Sequence, residues 1–430
     1  MKNYSLKSVF LLSMLLVNAL GFTQDYTDGV LVLNEGLIGT ENSSISYIKS
    51  DGTLENNIFS SQNGGMPLGD TGQGMAFAAT YAYVVLNYSN EVKVINKTTF
   101  ELVTTITDQM VYPRYIAIND QKAYVTNWGD PGDVHDDYIA VIDLITHSVI
   151  ETISVVEGPE EIIYQDGKLF VAHQGGYGFG NTISIIDTAS YAVTPITVGD
   201  IPSSLKIDAN YLYVLCSGNP DYSPNETSGK LVKIDLTNYQ NSITYTFPGV
   251  EHPAFLGLDD MNIYYVLDAN IYKMALSATA LPTTPFINTS SNNVQLPYGF
   301  DKIDNTFYLA DGIDYVSNGK VFMFDESGNF TSEYTVGPLP NGFYKNQELT
   351  AGTTDLTAAK IVVYPNPTSG NFKLNSSKNA EIIIYDVSGR LIKKAQYVNI
   401  PISLRGFKPG VYLVQIEMEG KVTTQKLLVQ

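Results

Sequence analysis

The chain has 430 residues, of which 44% are hydrophobic and only 16% charged, and this balance excludes a disordered chain. The formal net charge of −19 repels phosphate backbones and anionic lipid surfaces, which excludes nucleic acid as a partner. The length favours two or three domains, and the single cysteine, Cys216, excludes an intramolecular disulfide, so packing must stabilise the fold.

The first predicted element is a secretory signal peptide over residues 1–21. Lys2 and Lys7 form its basic start, residues 9–20 form an apolar stretch, and residues 19–21 supply small side chains for cleavage. The apolar stretch is too short for a stable bilayer span, and no other segment is long and apolar enough. We therefore expect an exported protein with no membrane span once the signal is removed.

Between residues 25 and 345, a short apolar run that ends in a polar residue or cysteine recurs seven times. The copies end at Asn34, Asn87, Asn127, His173, Cys216, Asp268 and Asp311. An alternating strand follows most copies and often closes with an Asp, whose side chain can bond turn amides, as at Asp143 and Asp187. Propeller blades of four strands repeat every ~40–50 residues. The sequence therefore predicts an all-β chain with a seven-bladed β-propeller over residues 25–345.

A second repeated signal is a proline or glycine followed by two variable residues and an apolar pair. It occurs at Gly72, Pro113, Pro159, Pro202, Pro253, Pro297 and Pro340. Because proline lacks an N–H donor, it suits the first residue of an innermost strand. The signal at Pro340 has no blade after it, and the first blade has no such signal before it. We expect the strand near residues 340–345 to complete the first blade and remove the free sheet edges.

The third copy, Tyr124-Val125-Thr126-Asn127, resembles the tetrapeptide that names the YVTN propeller repeats, and the strand pattern over residues 142–153 extends the match. The resemblance covers about residues 25–345 and implies the propeller fold. Exported YVTN-like propellers of Bacteroidetes include surface proteins that capture cobalamin. This chain is similar to them in the Tyr-Val-Thr-Asn-Trp-Gly run at residues 124–129, but it lacks their lipoprotein cysteine.

Residues 346–360 are rich in Thr and Ala without periodicity and are predicted to be a linker. Short strands separated by turn residues then fill residues 361–430, which predicts a small Ig-like β-sandwich. The motifs are Tyr364-Pro365-Asn366-Pro367, Tyr385-Asp386 with Gly389-Arg390, residues 404–412, and the terminal Lys426-Leu427-Leu428-Val429. This segment resembles the type A sorting domain of the type IX secretion system of Bacteroidetes. The resemblance implies the type IX machinery as a partner and an extracellular or outer-surface location.

Loops that enter the innermost strands and loops that leave the next strands are expected to gather on one face of a propeller. The residues predicted to bind a ligand there are Gln73, Tyr88, Arg114, Trp128, Glu160, His173, Gln174, Tyr177, Ser203, Tyr222, Tyr298 and Asn341. Aromatic rings supply flat apolar area, and amides and Arg fix orientation, so this mixture suits a neutral or mildly charged organic ligand.

No cofactor is predicted, but calcium is an open alternative at the loop that follows Asn127. Its candidate ligands are Asp130, Asp133, Asp136 and Asp137, which carry oxygen atoms of the kind calcium prefers. Their spacing differs from that of an EF-hand, and the four histidines of the chain show no zinc spacing.

The sequence contains no recognisable catalytic motif, so the chain is predicted not to be an enzyme. No Gly-x-Ser-x-Gly elbow occurs, and the glycine-rich run at residues 175–180 lacks the strand and helix context of a phosphate loop. The leading hypothesis is a surface or secreted protein that captures a cobalamin-like nutrient, a glycan or a protein. The alternatives are a hydrolase or lyase with its site at the channel mouth, and an adhesion protein.

Overall fold

The computed structural model describes residues 25–346, 363–364, 366–374, 379–386, 390–418 and 421–430. The chain divides into two compact units, residues 1–347 and 348–430. The predicted signal peptide and residues 347–360 of the predicted linker lie outside the described residues. Among the described residues, no helix has the length and apolar character needed to cross a membrane.

The first unit is built from antiparallel sheets that follow one another along the chain. The first sheet contains β1 (Gly29–Asn34), β2 (Ser44–Lys49) and β3 (Leu54–Glu55), and the short helix α1 (Ile58–Gln62) follows it. The second contains β4 (Gly72–Phe77), β5 (Tyr81–Leu86), β6 (Glu91–Asn96) and β7 (Leu102–Ile106). The third contains β8 (Pro113–Ile118), β9 (Lys122–Asn127), β10 (Tyr138–Asp143) and β11 (Ser148–Ser154).

The next two sheets repeat this order. The fourth contains β12 (Pro159–Gln165), β13 (Lys168–His173), β14 (Thr182–Asp187) and β15 (Val193–Thr197). The fifth contains β16 (Pro202–Ile207), β17 (Tyr211–Cys216), β18 (Lys230–Asp235) and β19 (Ser242–Thr246). The predicted apolar runs form the second strand of each of these sheets.

The sixth sheet departs from the expected four strands. It contains only β20 (Ala254–Leu258), β21 (Asn262–Leu267) and β22 (Asn270–Ala275). Pro282 and Pro285 interrupt the segment that follows, and a proline has no N–H to offer a sheet. That segment therefore meets β22 through one bridge alone, between Ile271 and Ile287. A short 3-10 helix, Ser290–Asn292, leads to the seventh sheet.

The last sheet and the first sheet close the unit. The seventh sheet contains β23 (Pro297–Ile303), β24 (Thr306–Asp311), β25 (Asn318–Phe324) and β26 (Phe330–Pro338), and β27 (Pro340–Tyr344) follows. Strand β27 pairs antiparallel with β1, which confirms the predicted closure. The inner strands β27, β4, β8, β12, β16, β20 and β23 contact one another in sequence and form a closed ring around a central channel. This arrangement is consistent with a β-propeller.

The second strand of each sheet is buried on both faces, which explains its continuous apolar sequence. In β5, Val84 packs toward the core shared with the first sheet, and Tyr83 and Val85 pack toward the third sheet. Full burial of one such side chain contributes about 1.5–3 kcal/mol, so the stacking of neighbouring sheets supplies most of the stability.

The predicted aspartates at the strand ends do bond turn amides. Asp143 Oδ1 accepts hydrogen bonds from the N–H groups of Ile145 at 3.0 Å and Thr146 at 2.8 Å. The bond from the Thr146 N–H is the main reason that the pKa of Asp143 lies below its ordinary value. Asp187 holds the equivalent turn of the fourth sheet, through Ala189 and Ser190.

The second unit consists of two sheets around one core. Its strands are β28 (Val363–Tyr364), β29 (Asn371–Leu374), β30 (Ala380–Asp386), β31 (Leu391–Tyr397), β32 (Ile402–Ser403), β33 (Gly410–Met418) and β34 (Lys421–Val429). One sheet has the order β28-β29-β32 and the other the order β31-β30-β33-β34. Phe372 from the first sheet and Ile384 and Val414 from the second belong to the same buried cluster. Pro365 and Gly389 of the predicted motifs lie outside the described residues.

The predicted linker begins one residue too early. Asn346 is fully buried, and its Nδ2 donates hydrogen bonds to the carbonyl oxygens of Tyr26 at 3.1 Å and Lys97 at 2.5 Å. Asn346 therefore belongs to the first unit, where its side chain links the residues after β27 to Tyr26, which precedes β1.

The closure predicts that Phe343→Ala will destabilise the first unit. Phe343 is only 6% exposed and its ring lies 5.4 Å from that of Tyr308, so truncation leaves a cavity and lowers the free energy of unfolding by about 3 kcal/mol. Urea unfolding followed by the fluorescence of Trp128, the one tryptophan of the chain, measures this loss.

Phe330→Ala is the matched control, because Phe330 is 48% exposed on β26 and its truncation should cost less than about 1 kcal/mol. Equal losses for the two variants would contradict the importance of the closing strand.

Candidate ligand-binding site

The loops before the inner strands and after the second strands meet on one face, as predicted. In six sheets a backbone N–H near the end of the second strand donates to the carbonyl just before the inner strand. The pairs are Glu35 to Leu339, Asn87 to Thr71, Trp128 to Tyr112, Gln174 to Gly158, Ser217 to Ile201, and Gly312 to Leu296, at 2.8–3.3 Å. We call the side of the first unit that carries these loops the loop face.

An ion pair between the half-buried Arg114 and the buried Glu160 lies where the channel opens on the loop face. Arg114 Nε donates to Glu160 Oε1 at 3.0 Å and to Oε2 at 3.2 Å, and the guanidinium lies 4.4 Å from the centre of the Trp128 ring. Burial raises the pKa of Glu160, while the charge of Arg114 opposes this shift. Burial lowers the pKa of Arg114, but the charge of Glu160, its hydrogen bonds and the groups of Tyr115 and Glu35 together outweigh burial and leave that pKa above its ordinary value. The pair is held rigidly by its own attraction and by the indole.

Glu35 is the second carboxylate of the channel mouth. Its Oε2 accepts hydrogen bonds from Tyr298 Oη at 3.1 Å and from Asn341 Nδ2 at 3.4 Å, and Asn341 also donates to the Gly72 carbonyl at 2.7 Å. Burial raises the pKa of Glu35 against the charge of Arg114 and the hydrogen bonds of Tyr298, Asn341 and Gln73, the last from the second sheet. Residues from the first, second and seventh sheets thus converge on one side chain.

Glu35 was missed at the sequence level, although the repeat contains a signal for it. It follows Asn34 directly, as Tyr88 follows Asn87, Trp128 follows Asn127 and Gln174 follows His173. Aligning the first repeat with the others would have placed Glu35 in the same group. We define the mouth cluster as Glu35, Gln73, Arg114, Trp128, Glu160, Tyr298 and Asn341.

Two aromatic pairs extend the mouth cluster toward solvent. The Trp128 and Tyr177 rings are 5.5 Å apart and meet edge to face, and the Tyr298 and Tyr315 rings do so at 6.1 Å. Tyr177 and Tyr315 are 68% and 57% exposed, so each pair has one anchored and one accessible ring. This arrangement provides flat apolar surface beside the buried charges.

The structure places His173 away from the predicted site. It is fully buried within the fourth sheet, where its Nε2 lies 2.8 Å from Ser184 Oγ. The side chain therefore cannot reach a ligand on the loop face, which corrects the prediction. Burial lowers the pKa of His173 to about 4, so the imidazole is neutral at pH 7.

The other predicted residues lie on the loop face outside the mouth cluster. Ser203 is bonded to Ser217, with 2.7 Å between the two hydroxyl oxygens. Tyr88 and Tyr222 are 46% and 82% exposed. Within residues 25–346, no hydrogen bond or ring contact joins the side chains of Tyr88, Gln174, Ser203 or Tyr222 to the mouth cluster.

The aspartates proposed for calcium hold their own loop together. Asp137 is only 2% exposed and accepts a hydrogen bond from the Gly158 N–H, and burial raises its pKa to about 6. Asp136 accepts from the Asp130 N–H at 2.8 Å, and Asp133 accepts from the His135 N–H at 3.0 Å. Across the described ranges, no group of three or more His, Cys, Asp or Glu side chains could hold a metal ion.

A further charged layer occupies the inner strands. Lys206 Nζ lies 3.1 Å from Asp301 Oδ2, and Glu161 Oε2 accepts a hydrogen bond from the Leu205 N–H at 2.8 Å. Burial raises the pKa of Tyr115, and the charge of Glu160 raises it further, so this hydroxyl is neutral. These residues were not predicted from the sequence. The sequence signal that could have found them is their position on the inner strands, directly after the predicted site residues or a few positions farther along.

Residues 362–430 match the family model of the secretion system C-terminal sorting domain. This match indicates export by type IX secretion, interaction with that machinery, and a cell-surface or secreted location. A search of curated proteins returned no match.

Solved structures share the fold of the first unit at low sequence identity. A quinonprotein alcohol dehydrogenase-like protein from Bacteroides thetaiotaomicron is similar with a TM-score of 0.55 and 15% identity, covering 75% of this chain and 79% of that one. A hypothetical selenium-binding protein from Sulfolobus tokodaii is similar with a TM-score of 0.54 and 9% identity, covering 74% and 93%. At these identities the likeness concerns the fold alone.

The buried His173 predicts an acid-sensitive contribution to stability. Because burial lowers the pKa of His173 to about 4, the unfolded chain binds a proton at this imidazole before the folded chain does. The stability contributed by His173 is therefore complete above its ordinary pKa and is lost as the pH falls toward 4. Between pH 7 and pH 4, the wild type should lose about 3 kcal/mol more unfolding free energy than His173→Asn.

Asn is the natural replacement, because the repeat has Asn at this position in Asn34, Asn87 and Asn127. Urea unfolding of both proteins at several pH values measures the difference. The two proteins contain the same carboxylates, so the effect of carboxylate titration cancels in the comparison. Parallel pH profiles would show that the imidazole is not held neutral.

Proposed function

We propose that this chain is an exported binding protein, a seven-bladed propeller of the YVTN-like kind whose loop face captures an organic ligand. The mouth cluster carries the proposal, because it combines buried, preorganised polar groups with accessible aromatic rings at one opening. Sites of this composition use the rings for contact area and the polar groups for orientation.

The architecture supports this proposal in two ways. The seven sheets and the closed ring of inner strands correspond to seven blades, with the first completed by β27. The two sheets around one core in residues 363–430 correspond to an Ig-like sorting sandwich. The rigid ring fixes the mouth cluster, so little ordering of side chains is required when a ligand binds.

The charges of the mouth limit the ligand. Arg114 is engaged by both oxygens of Glu160, and Glu35 adds a second carboxylate, so the cluster carries a net negative charge. An anionic ligand would be repelled, whereas a neutral or cationic one with a planar apolar part fits the rings. A cobalamin-like nutrient satisfies these conditions, and a glycan or surface protein can also be tested against them.

We propose a binding role rather than catalysis, and no cofactor. The Glu160 carboxylate is committed to Arg114, and the Glu35 carboxylate is committed to Tyr298 and Asn341. Carboxylates engaged in this way can orient a bound ligand, but they are not available to transfer a proton to it.

Calorimetry of the full secreted chain with cyanocobalamin is the direct test. We expect binding that Trp128→Ala weakens at least about tenfold, because the indole supplies both contact area and support for Arg114. Tyr298→Phe should weaken it less, since the ring stays and only the hydrogen bond to Glu35 is lost.

Phe330→Ala on the outer strand β26 is the control and should bind as the wild type does. Absence of heat with cyanocobalamin would eliminate that ligand. Cyanocobalamin binding that survives Trp128→Ala unchanged would contradict a site at the mouth cluster.

Removal of residues 362–430 tests the export role of the second unit. In cells with the type IX machinery, the truncated chain should remain inside the outer membrane, while the intact chain reaches the surface or the medium. Immunoblots of fractionated cells measure the distribution.

A reporter protein fused to the signal peptide and to residues 346–430 complements this test and should be exported. Surface delivery of the truncated chain at the wild-type level would show that these residues are dispensable for export.

A further inference from the structure

A groove of about 450 Å³ lies between the fifth and sixth sheets, and it shares no residue with the mouth cluster. Its existence follows from the missing fourth strand of the sixth sheet. The segment with Pro282 forms the outer wall of the groove instead of adding a strand beside β22. The volume falls within the range of roughly 300–1,000 Å³ typical of small-molecule sites.

The wall opposite β19 is fixed rather than loose. Tyr245 Oη donates a hydrogen bond to the Ala278 carbonyl at 3.0 Å, and Lys233 Nζ donates to the Leu276 carbonyl at 3.0 Å. The Ala278 N–H in turn donates to the Ala275 carbonyl at the end of β22. These three bonds tie the segment to both sheets, so the groove is preformed.

The floor of the groove is a stacked aromatic pair. Tyr265 and Tyr272 are direct cross-strand partners, and their rings lie 5.3 Å apart at an interplanar angle of 2°. Tyr265 is 1% exposed and packs edge to face against Phe247, whereas Tyr272 is only half-buried. Tyr265 therefore supports Tyr272 from behind, and Tyr272 presents a rigid flat surface to the groove.

The polar groups of the groove are mostly neutral hydroxyls. Besides Tyr245, whose hydroxyl is bonded to the Ala278 carbonyl, the hydroxyl-bearing lining residues are Thr244, Thr246, Tyr265, Tyr272, Thr279 and Thr283. Within residues 25–346, none of these hydroxyls makes a hydrogen bond to another protein group. Glu251, the single charged side chain of the lining, likewise has a carboxylate without a hydrogen-bond partner in that range.

We propose that this groove binds a neutral disaccharide. A sugar ring has an apolar face of C–H groups that packs on an aromatic ring, and hydroxyls around its edge that both donate and accept. Tyr272 supplies the ring, the threonine and tyrosine hydroxyls supply matching donors and acceptors, and Glu251 can accept two hydrogen bonds from adjacent sugar hydroxyls. The proposal stands independently of the ligand at the mouth cluster.

Saturation-transfer NMR of the full secreted chain with cellobiose, maltose, lactose and chitobiose tests the proposal. We expect transfer to the ring C–H protons of at least one of these sugars. Tyr272→Ala should weaken its binding at least about tenfold, and Glu251→Gln and Tyr272→Phe should weaken it by smaller factors. The two conservative variants keep the test decisive if Tyr272→Ala is unstable.

Trp128→Ala is the matched control, because it removes an aromatic ring from the mouth cluster and leaves the groove intact. Unchanged sugar binding in Trp128→Ala supports a separate site, whatever the outcome of the cobalamin titration. Lack of transfer to all four sugars would overturn the proposal. If tetramethylammonium binds in a Glu251-dependent way and no sugar binds, the groove is a site for organic cations and the disaccharide proposal is wrong.

Discussion

The pairing of β27 with β1 is the constraint on which the rest of the first unit depends. It completes the first sheet with residues from the far end of the unit and leaves the ring of inner strands without a gap. The same pairing brings Asn341 beside Glu35, which is 306 residues away in sequence. Fold closure and assembly of the mouth cluster are therefore one event, and a chain that fails to close also fails to build its site.

Much of this fold could be predicted because each sheet repeats the same local chemistry. The apolar runs are continuous since the second strands are buried on both faces, and the prolines mark inner strands since their first residue needs no donor. His173 shows the limit of such reasoning. Its place at a strand end predicts that a loop is near, but whether the side chain points to solvent or between sheets depends on packing that one sequence does not reveal.

The sixth sheet shows a second limit, because a repeat length does not reveal how its residues are used. The spacing between Asp268 and Asp311 suits a full blade, yet Pro282 and Pro285 within it prevent the fourth strand from forming. The residues freed in this way form the wall of a groove beside the sixth sheet. Local interruption of a regular pattern thus produces a candidate site on a scaffold that is otherwise stabilised by regularity.

The charges of the mouth are difficult to explain by stability alone. Burial raises the pKa values of Glu35, Glu160 and Glu161, which means that each ionised carboxylate is less favourable there than in water. A buried ion pair is often no more stabilising than well-packed apolar residues of similar volume. Side chains such as Ile or Leu could fill the channel at lower cost, as they do between the sheets. Retaining Arg114 and the carboxylates at the opening of a rigid ring agrees with the proposed binding role, with the free energy of folding supplied by the stacked sheets around them.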